Sequence, residues 1–307
     1  MIRRKVMTSL LRPAVLSVAL ICIGSMLSRA ESSADSSRAV EVADGVSLRV
    51  IEAGKPDAQP ALVFIPGWSM SADIWKHQID TFAKTCRVIA FDPRSQGDST
   101  KTTTGNTPEI RAQDLHTLLE RLHVQRPVLI GWSQGVQDIA AYVERYGTKD
   151  LAGIVLVDAA ISDGADGTAT RPQETAAQFK MFAVYQAHQR EYLGGMMQAI
   201  ISKPQSEGTI KRLVGTGMKT PPDIGVAMLI ADMFGVNRTS AIKKIDCPTL
   251  IIAAAKSDEL PRQQAPAKQI PNARIEKIED AAHAVFIDQP DRFDELLESF
   301  VAGLAAN

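Results

Sequence analysis

One serine lies in a short sequence that is suited to nucleophilic catalysis. Ser133 has a glycine two residues before it, Gly131, and another two residues after it, Gly135. An apolar run at 127–130 precedes these residues and a helical pattern at 136–146 follows them, which predicts a sharp turn between a strand and a helix. Larger side chains at the two glycine positions would collide in such a turn. The pattern therefore predicts Ser133 as a nucleophile, with a plain structural turn as the alternative.

A serine hydroxyl needs a general base, and histidine is the usual choice. His283 follows the last predicted strand in a short loop, where it could reach a serine at the C-terminal edge of a sheet. We therefore predict His283 as the base. Surface or packing roles are expected for the histidines in helical segments, which are His77, His116, His123 and His188.

The imidazolium that forms during proton transfer has to be oriented and stabilised by a carboxylate. Asp258 follows a predicted strand, and choosing it makes the three residues occur in the order serine, aspartate, histidine. We therefore predict Asp258 as the partner of His283. Asp158, at the end of an earlier strand, is the alternative, and Asp280 is expected to be solvated.

Acyl transfer also needs two main-chain N–H groups directed at the oxygen on which negative charge develops. Gln134, the residue after the nucleophile, is predicted to supply one of them. Trp68 is predicted to supply the other, because Gly67 before it allows the backbone to approach closely. The alternative is that Pro66 and Gly67 form only a tight turn.

The elements around these residues alternate between short apolar runs and helical patterns, which is typical of an α/β fold with a mostly parallel sheet and helices on both faces. No strand-like run occurs between 160 and 247, so we predict a helical lid at 161–246 inserted into a core at 39–160 and 247–307. Six methionines in this segment suit either a pocket for apolar ligands or an ordinary helical core. The strand-like runs are 46–52, 61–65, 86–91, 127–131, 153–158, 249–254 and 274–278.

The N-terminus has the pattern of an export signal. Basic residues precede an apolar stretch at 14–27, and small residues at 28 and 30 suit cleavage. We predict a signal peptide at 1–30, a disordered leader at 31–38 and a secreted or periplasmic protein that does not associate with membranes after cleavage. An uncleaved membrane anchor is the alternative.

The overall composition is that of a globular protein, with 45% apolar and 22% charged residues. A formal net charge of −1 argues against a nucleic-acid partner. Cys86 and Cys247 have no neighbours at metal-ligand spacing, so no metal site is predicted. Two free thiols are favoured over a disulfide between them. No cofactor is expected, and the oligomeric state stays open.

Several segments together resemble the α/β-hydrolase superfamily in its single-domain, lidded serine esterase branch. The segments are Phe-Ile-Pro-Gly-Trp at 64–68, Asp-Pro-Arg-Ser-Gln-Gly-Asp-Ser at 92–99, Cys-Pro-Thr-Leu-Ile-Ile at 247–252 with Asp258, and Ala-His at 282–283. The sequence departs from the family pattern at Pro66, where many members have histidine, and at Ser95, where they have glycine. The resemblance includes small-ester carboxylesterases and cofactor-free haloperoxidases or perhydrolases.

The residues and the resemblance predict hydrolysis of small to medium, mostly apolar carboxylic esters through an acyl-enzyme at Ser133. The same groups could cleave amides, lactones or C–C bonds, or form peracids with peroxide. Dehalogenase and epoxide hydrolase chemistry would need aspartate at position 133. A catalytically idle binder of hydrophobic ligands on the same fold is the alternative of another class.

Overall fold

The computed structural model describes residues 37–162 and 172–305. The predicted signal peptide at 1–30 and the first six residues of the predicted leader lie outside the described residues. Ser37 and Arg38 do not belong to a disordered leader, because they begin the first strand of the sheet. Within the described ranges, the helices are too short or too polar to cross a membrane.

An eight-stranded, mostly parallel sheet forms the centre of the fold, with the strand order β1-β2-β4-β3-β5-β6-β7-β8. β2 runs antiparallel to both of its neighbours, and the remaining neighbours pair in parallel. All seven predicted strands are present, and β1 is an addition that the sequence analysis missed. The strands are β1 (Ser37–Ala43), β2 (Val46–Gly54), β3 (Leu62–Ile65), β4 (Arg87–Phe91), β5 (Val128–Trp132), β6 (Gly153–Val157), β7 (Thr249–Ala254) and β8 (Ala273–Ile278).

The central strands are buried on both faces, which explains why their sequences are continuously apolar. In β3 the side chains of Leu62 and Phe64 enter one hydrophobic cluster, and those of Val63 and Ile65 enter another on the opposite face. Helices cover both clusters. This arrangement confirms the predicted fold class of a parallel sheet between two helical layers.

The helix predicted at 136–146 and a helical segment within 161–246 are both present, although the helix at Glu207–Gly217 was not predicted individually. Within the predicted lid, residues 175–201 have a continuous helical pattern in the sequence. The structure divides this segment at His188, whose φ of −138° and ψ of 54° are not helical. The helices are α1 (Lys76–Phe82), α2 (Pro108–Arg121), α3 (Gln134–Tyr146), α4 (Pro172–Ala187), α5 (Gln189–Ile200), α6 (Glu207–Gly217), α7 (Pro222–Phe234), α8 (Leu260–Ala267), α9 (Val285–Asp288) and α10 (Pro290–Ala305).

Four of these helices, α4 to α7, follow one another between β6 and β7, in the interval where the sequence has no strand-like run. We call α4 to α7 the helical insertion. Met197 and Met228 of this segment are fully buried in the hydrophobic cluster that also contains Phe64. Much of its methionine content therefore belongs to a packed core.

Candidate active site

Ser133 occupies the sharp turn that the sequence predicts. It lies between the end of β5 and the first residue of α3, with a φ of 57° and a ψ of −119°. A non-glycine residue at positive φ is strained, and such strain is concentrated at functional sites. A Cβ atom on Gly131 would lie 2.5 Å from the carbonyl oxygen of Gly135, and one on Gly135 would lie 2.7 Å from that of Ile65. Both positions therefore require glycine.

His283 lies in the loop after β8, and its imidazole is held by a buried carboxylate. Its Nδ1 atom is 2.9 Å from Oδ2 of Asp158, which is fully buried. The other carboxylate oxygen of Asp158 accepts a hydrogen bond of 2.8 Å from the main-chain N–H of Ala254. The loop is also fixed from β5, because the indole N–H of Trp132 donates to the main-chain oxygen of His283. The Nδ1 atom and the main-chain oxygen of His283 are therefore both engaged within the protein.

The carboxylate next to His283 is Asp158, so the prediction that Asp258 holds this position is wrong. Asp158 directly follows β6, which lies between β5 and β7 in the sheet. Asp258 comes four residues after the end of β7, in an exposed turn just before α8. Geometry thus selects the aspartate that the sequence analysis ranked second.

The loop after β3 packs against the turn that contains Ser133. A Cβ atom on Gly67 would lie 2.9 Å from the ring of Trp132 and 3.1 Å from Cβ of Ser133. On the other side, Gln134 is the first residue of α3, where main-chain N–H groups have no acceptor within the helix. The backbone of Trp68 and that of Gln134 therefore flank the serine.

The loop at 92–99 supports the loop after β3. Oε1 of the buried Gln96 accepts a hydrogen bond of 2.5 Å from the main-chain N–H of Ser69, and its Nε2 atom is 3.4 Å from the carbonyl oxygen of Gly67. Ser95 has a φ of 64°, in the left-handed region that favours glycine. The supporting role of Gln96 was not predicted, because nothing in a single sequence pairs it with position 69.

The helical insertion is joined to the same loop by two hydrogen bonds. The indole N–H of Trp68 donates to the carbonyl oxygen of Gly225 in α7, at 2.9 Å, and the Ser69 hydroxyl donates to that of Gly217 in α6, at 3.0 Å. Trp68 also packs against Tyr185 of α4, with a centroid separation of 4.7 Å. The insertion is therefore anchored to the loop after β3.

A cavity of about 170 Å³ is lined by both Ser133 and His283. This is small beside the 300–1,000 Å³ that is common for ligand pockets. Of the six methionines in the insertion, Met233 is the one that borders it among the described residues. The apolar lining residues are Trp68, Ala159, Ala160, Leu229 and Met233. The polar ones are Ser133, Gln134, Gln137, Asp232, Glu259 and His283.

A buried charge cluster that includes Asp232 of the cavity lining connects α2, α3 and α7. The guanidinium group of Arg111 contacts Asp138 at 2.8 Å and Asp232 at 2.7 Å, and all three side chains are at least 95% buried. The second oxygen of Asp232 accepts a short hydrogen bond from Nε2 of Gln134. Burial and the neighbouring Asp232 raise the pKa of Asp138 to about 7, although Arg111 opposes the shift. None of these contacts was predicted from the sequence.

The remaining candidate residues have ordinary surroundings. His77 contacts Asp294, and His116 stacks on Tyr146. Cys86 and Cys247 are both free thiols, as favoured, and burial raises the pKa of Cys247 to about 11.

Comparison with known proteins identifies the family to which this fold and site belong. Residues 62–296 match the model of the alpha/beta hydrolase family, and the chain belongs to this family. It is therefore an enzyme of the α/β-hydrolase fold, as the resemblance implied.

Relatives of the chain include esterases and haloperoxidases. A non-heme chloroperoxidase from Streptomyces lividans is 27% identical over 85% of this chain and 98% of the relative. A bifunctional esterase/perhydrolase DCH from Acinetobacter calcoaceticus is 37% identical, over 39% of this chain and 44% of the relative. The structure of the esterase RhEst1 from Rhodococcus sp. ECU1013 has a TM-score of 0.77 at 24% identity, covering 88% of this chain and 99% of that one. This last likeness supports the fold.

Proposed function

We propose that the protein is a serine hydrolase that cleaves small carboxylic esters through an acyl-enzyme at Ser133. The observation that carries the proposal is the 2.9 Å contact between His283 and the buried Asp158, in a loop that shares a cavity with Ser133. A base held by a carboxylate, next to a serine in a strained turn, is the arrangement that nucleophilic acyl transfer needs.

The proposed reaction has two stages. His283 takes the proton of the Ser133 hydroxyl as its oxygen attacks the acyl carbon, and Asp158 stabilises the imidazolium that results. The main-chain N–H groups of Trp68 and Gln134 stabilise the negative oxygen of the tetrahedral intermediate. The proton then passes to the leaving alcohol. Water, activated by His283, releases the acid and restores the serine.

A second candidate function is peracid formation from the same acyl-enzyme. It is favoured by the similarity to a non-heme chloroperoxidase and to an esterase/perhydrolase. Here hydrogen peroxide replaces water in the second stage, its oxygen bonds to the acyl carbon, and Ser133 leaves as the alcohol. No redox step on the protein is required.

The first experiment compares hydrolysis of p-nitrophenyl acetate, butyrate and octanoate by the wild type and by Ser133→Ala. Loss of the nucleophile should lower kcat by roughly 10⁴-fold or more. Because the cavity is about 170 Å³, the two shorter esters should be the better substrates. Steady turnover by both proteins would contradict the serine mechanism, whereas a stable acyl adduct without turnover would favour a binding role.

The peracid function is tested by adding hydrogen peroxide and an acid such as acetate. Oxidation of a halide by the released peracid should appear in the wild type and disappear in Ser133→Ala. Halide oxidation that persists in the variant would contradict an acyl-enzyme route.

The proposed function also includes export through residues 1–30. Expression of the full chain should give a protein that begins near Glu31 in the periplasm or the medium. N-terminal sequencing of each fraction tests this, and an intact N-terminus in the membrane fraction would indicate an anchor.

A further inference from the structure

The aspartate that contacts His283 has an uncommon backbone conformation. Asp158 directly follows β6 and has a φ of 45°, in the left-handed region that residues other than glycine seldom adopt. Both oxygens of its carboxylate are engaged, one by the N–H of Ala254 and the other by the imidazole. A backbone in this region persists where surrounding contacts hold it. The groups that hold the turn at 158–160 therefore also hold the carboxylate.

A buried glutamine of α8 contacts this turn. The side-chain oxygen of Gln263, a residue that is 2% exposed, accepts hydrogen bonds of 3.1 Å from the main-chain N–H groups of Asp158 and Ala159. Since both N–H groups can only donate, the carboxamide must face them with its oxygen and not with its nitrogen. The N–H of Asp158 is shared with the carbonyl oxygen of Ile252 in β7, at 2.9 Å. Gln263 thereby joins α8 to the backbone of the aspartate.

A second side chain, from the start of α8, completes the set of acceptors. Oε2 of Glu259, the residue just before α8, accepts a hydrogen bond of 3.1 Å from the main-chain N–H of Ala160. Three successive N–H groups of the turn therefore donate to side chains of one segment. The two acceptors differ in position, because Glu259 lines the cavity whereas Gln263 is not among the described residues around it. A change at Gln263 therefore reaches the reaction through Asp158 and not through contact with the substrate.

We propose that Gln263 is a positioning residue for the acyl transfer. By accepting from the two N–H groups, it holds Asp158 in the left-handed conformation from which the carboxylate reaches Nδ1 of His283. Without this acceptor the N–H of Ala159 loses its partner and that of Asp158 loses one of two, so the turn shifts. A shift of about 1 Å in a catalytic group can lower turnover about 10²-fold. The proposal rests on the proposed function, in which His283 is the base, and adds a residue to that mechanism.

The first test is Gln263→Met, which keeps the length of the side chain and removes the acceptor. For p-nitrophenyl acetate, kcat should fall about 10- to 100-fold while KM changes by less than about twofold, because Gln263 acts on the base and not on the bound ester. Gln78→Met is the matched control, since Gln78 is also buried but lies in α1 and donates to Asp294. Its kcat should stay within about twofold of the wild type.

The second test introduces Gln263→Met into Asp158→Asn. In that background the carboxylate is already lost, so the further substitution should lower kcat by less than about threefold. A loss that came from a weakened fold would be the same in both backgrounds, about 10- to 100-fold. Urea unfolding of each variant establishes that it is folded under the assay conditions.

Gln263→Asn keeps the test decisive if Gln263→Met does not fold. It retains the carboxamide and withdraws its oxygen by one C–C bond, about 1.5 Å, which is too far for the two N–H groups. In this variant kcat should fall at least about fivefold, again with KM nearly unchanged.

The outcomes distinguish this proposal from the proposed function. A folded variant of Gln263 with the kcat of the wild type would overturn the positioning role and leave the esterase in place. The same holds for a rise in KM at unchanged kcat, and for an equal loss in the Asp158→Asn background. Turnover by Ser133→Ala at the rate of the wild type would overturn the proposed function, and the positioning role with it.

Discussion

Asp158 and Asp258 are the two candidates for the carboxylate that orients His283. Replacing each in turn with asparagine distinguishes between them. Asp158→Asn keeps an acceptor for the N–H of Ala254 but removes the charge that stabilises the imidazolium and can favour the wrong tautomer. We expect kcat for p-nitrophenyl acetate to fall by roughly 10³- to 10⁴-fold. Asp258→Asn, on an exposed turn, should change it by less than about twofold.

Measurement of kcat for both variants, with circular dichroism to check folding, gives a direct comparison. A large loss in Asp258→Asn together with an active Asp158→Asn would contradict the assignment from geometry.

At the scale of residues, the sequence predicts the backbone turn around a residue better than it predicts which distant side chains are in contact. The strand–turn–helix pattern is enough to place Ser133 in a sharp turn, because the turn and its two glycines are adjacent in the chain. The order serine, aspartate, histidine cannot identify the carboxylate, since Asp158 and Asp258 both satisfy it. Asp158 does have a local signal, as it directly follows the apolar strand β6. The proximity of Asp158 to His283 depends on the order of the strands in the sheet, and a single sequence does not reveal that order.

At the scale of elements, the charge cluster joins α7 of the insertion to α2 and α3 of the core, and removing its cation should weaken that connection. Arg111→Met leaves Asp138 and Asp232 buried without a positive partner. Breaking a buried pair in this way costs about 3–5 kcal/mol of unfolding free energy. Urea unfolding of the variant and the wild type measures the difference.

Arg38→Met provides the matched control. Arg38 pairs with Glu52 near the surface, where its side chain is 57% exposed, so the same substitution should cost no more than about 1 kcal/mol. Equal losses for the two variants would contradict a structural role for the buried cluster.

The elements themselves were largely predictable, and the exceptions have physical reasons. Five of the seven predicted strands are almost fully buried and appear in the sequence as apolar runs, because helices cover both faces of the sheet. They are β3, β4, β5, β6 and β7. β1 lies at the edge of the sheet and four of its first five residues are polar or small, so it resembles a leader. The helix α6 was missed because glycines at 208, 215 and 217 weaken its pattern.

At the scale of the whole molecule, the two hydrophobic clusters lie on opposite faces of the sheet, and the site lies where β3, β5 and β6 end. The order of these strands brings together residues that are distant in the chain, such as Trp132 and His283, which are 151 positions apart. The sequence indicates which segments are strands, and tertiary packing decides which of them are neighbours. The domain boundaries at 161 and 246 remain a prediction.

The same buried cluster should make the stability of the whole molecule depend on pH. Burial and Asp232 raise the pKa of Asp138 to about 7 in the folded state, whereas an unfolded aspartate titrates near 3.9. The folded state therefore binds a proton that the unfolded state releases at lower pH. Protonation of Asp138 contributes fully to the free energy of unfolding below pH ~4, and this contribution is lost as the pH rises towards about 7.

Asp138→Asn, which cannot titrate, isolates this contribution. From pH 5 to 8, the wild type should lose unfolding free energy relative to the variant, with most of the loss below pH ~7 and a constant difference above it. Urea unfolding of both proteins at each pH measures the difference, and subtraction removes the effect of all other titrating groups that the two share. A wild-type protein that gains stability relative to the variant over this range would mean that Arg111 dominates and that Asp138 is ionised in the folded state. If the unfolding free energies of the two proteins changed with pH in parallel, the pKa of Asp138 would be the same in the folded and unfolded states.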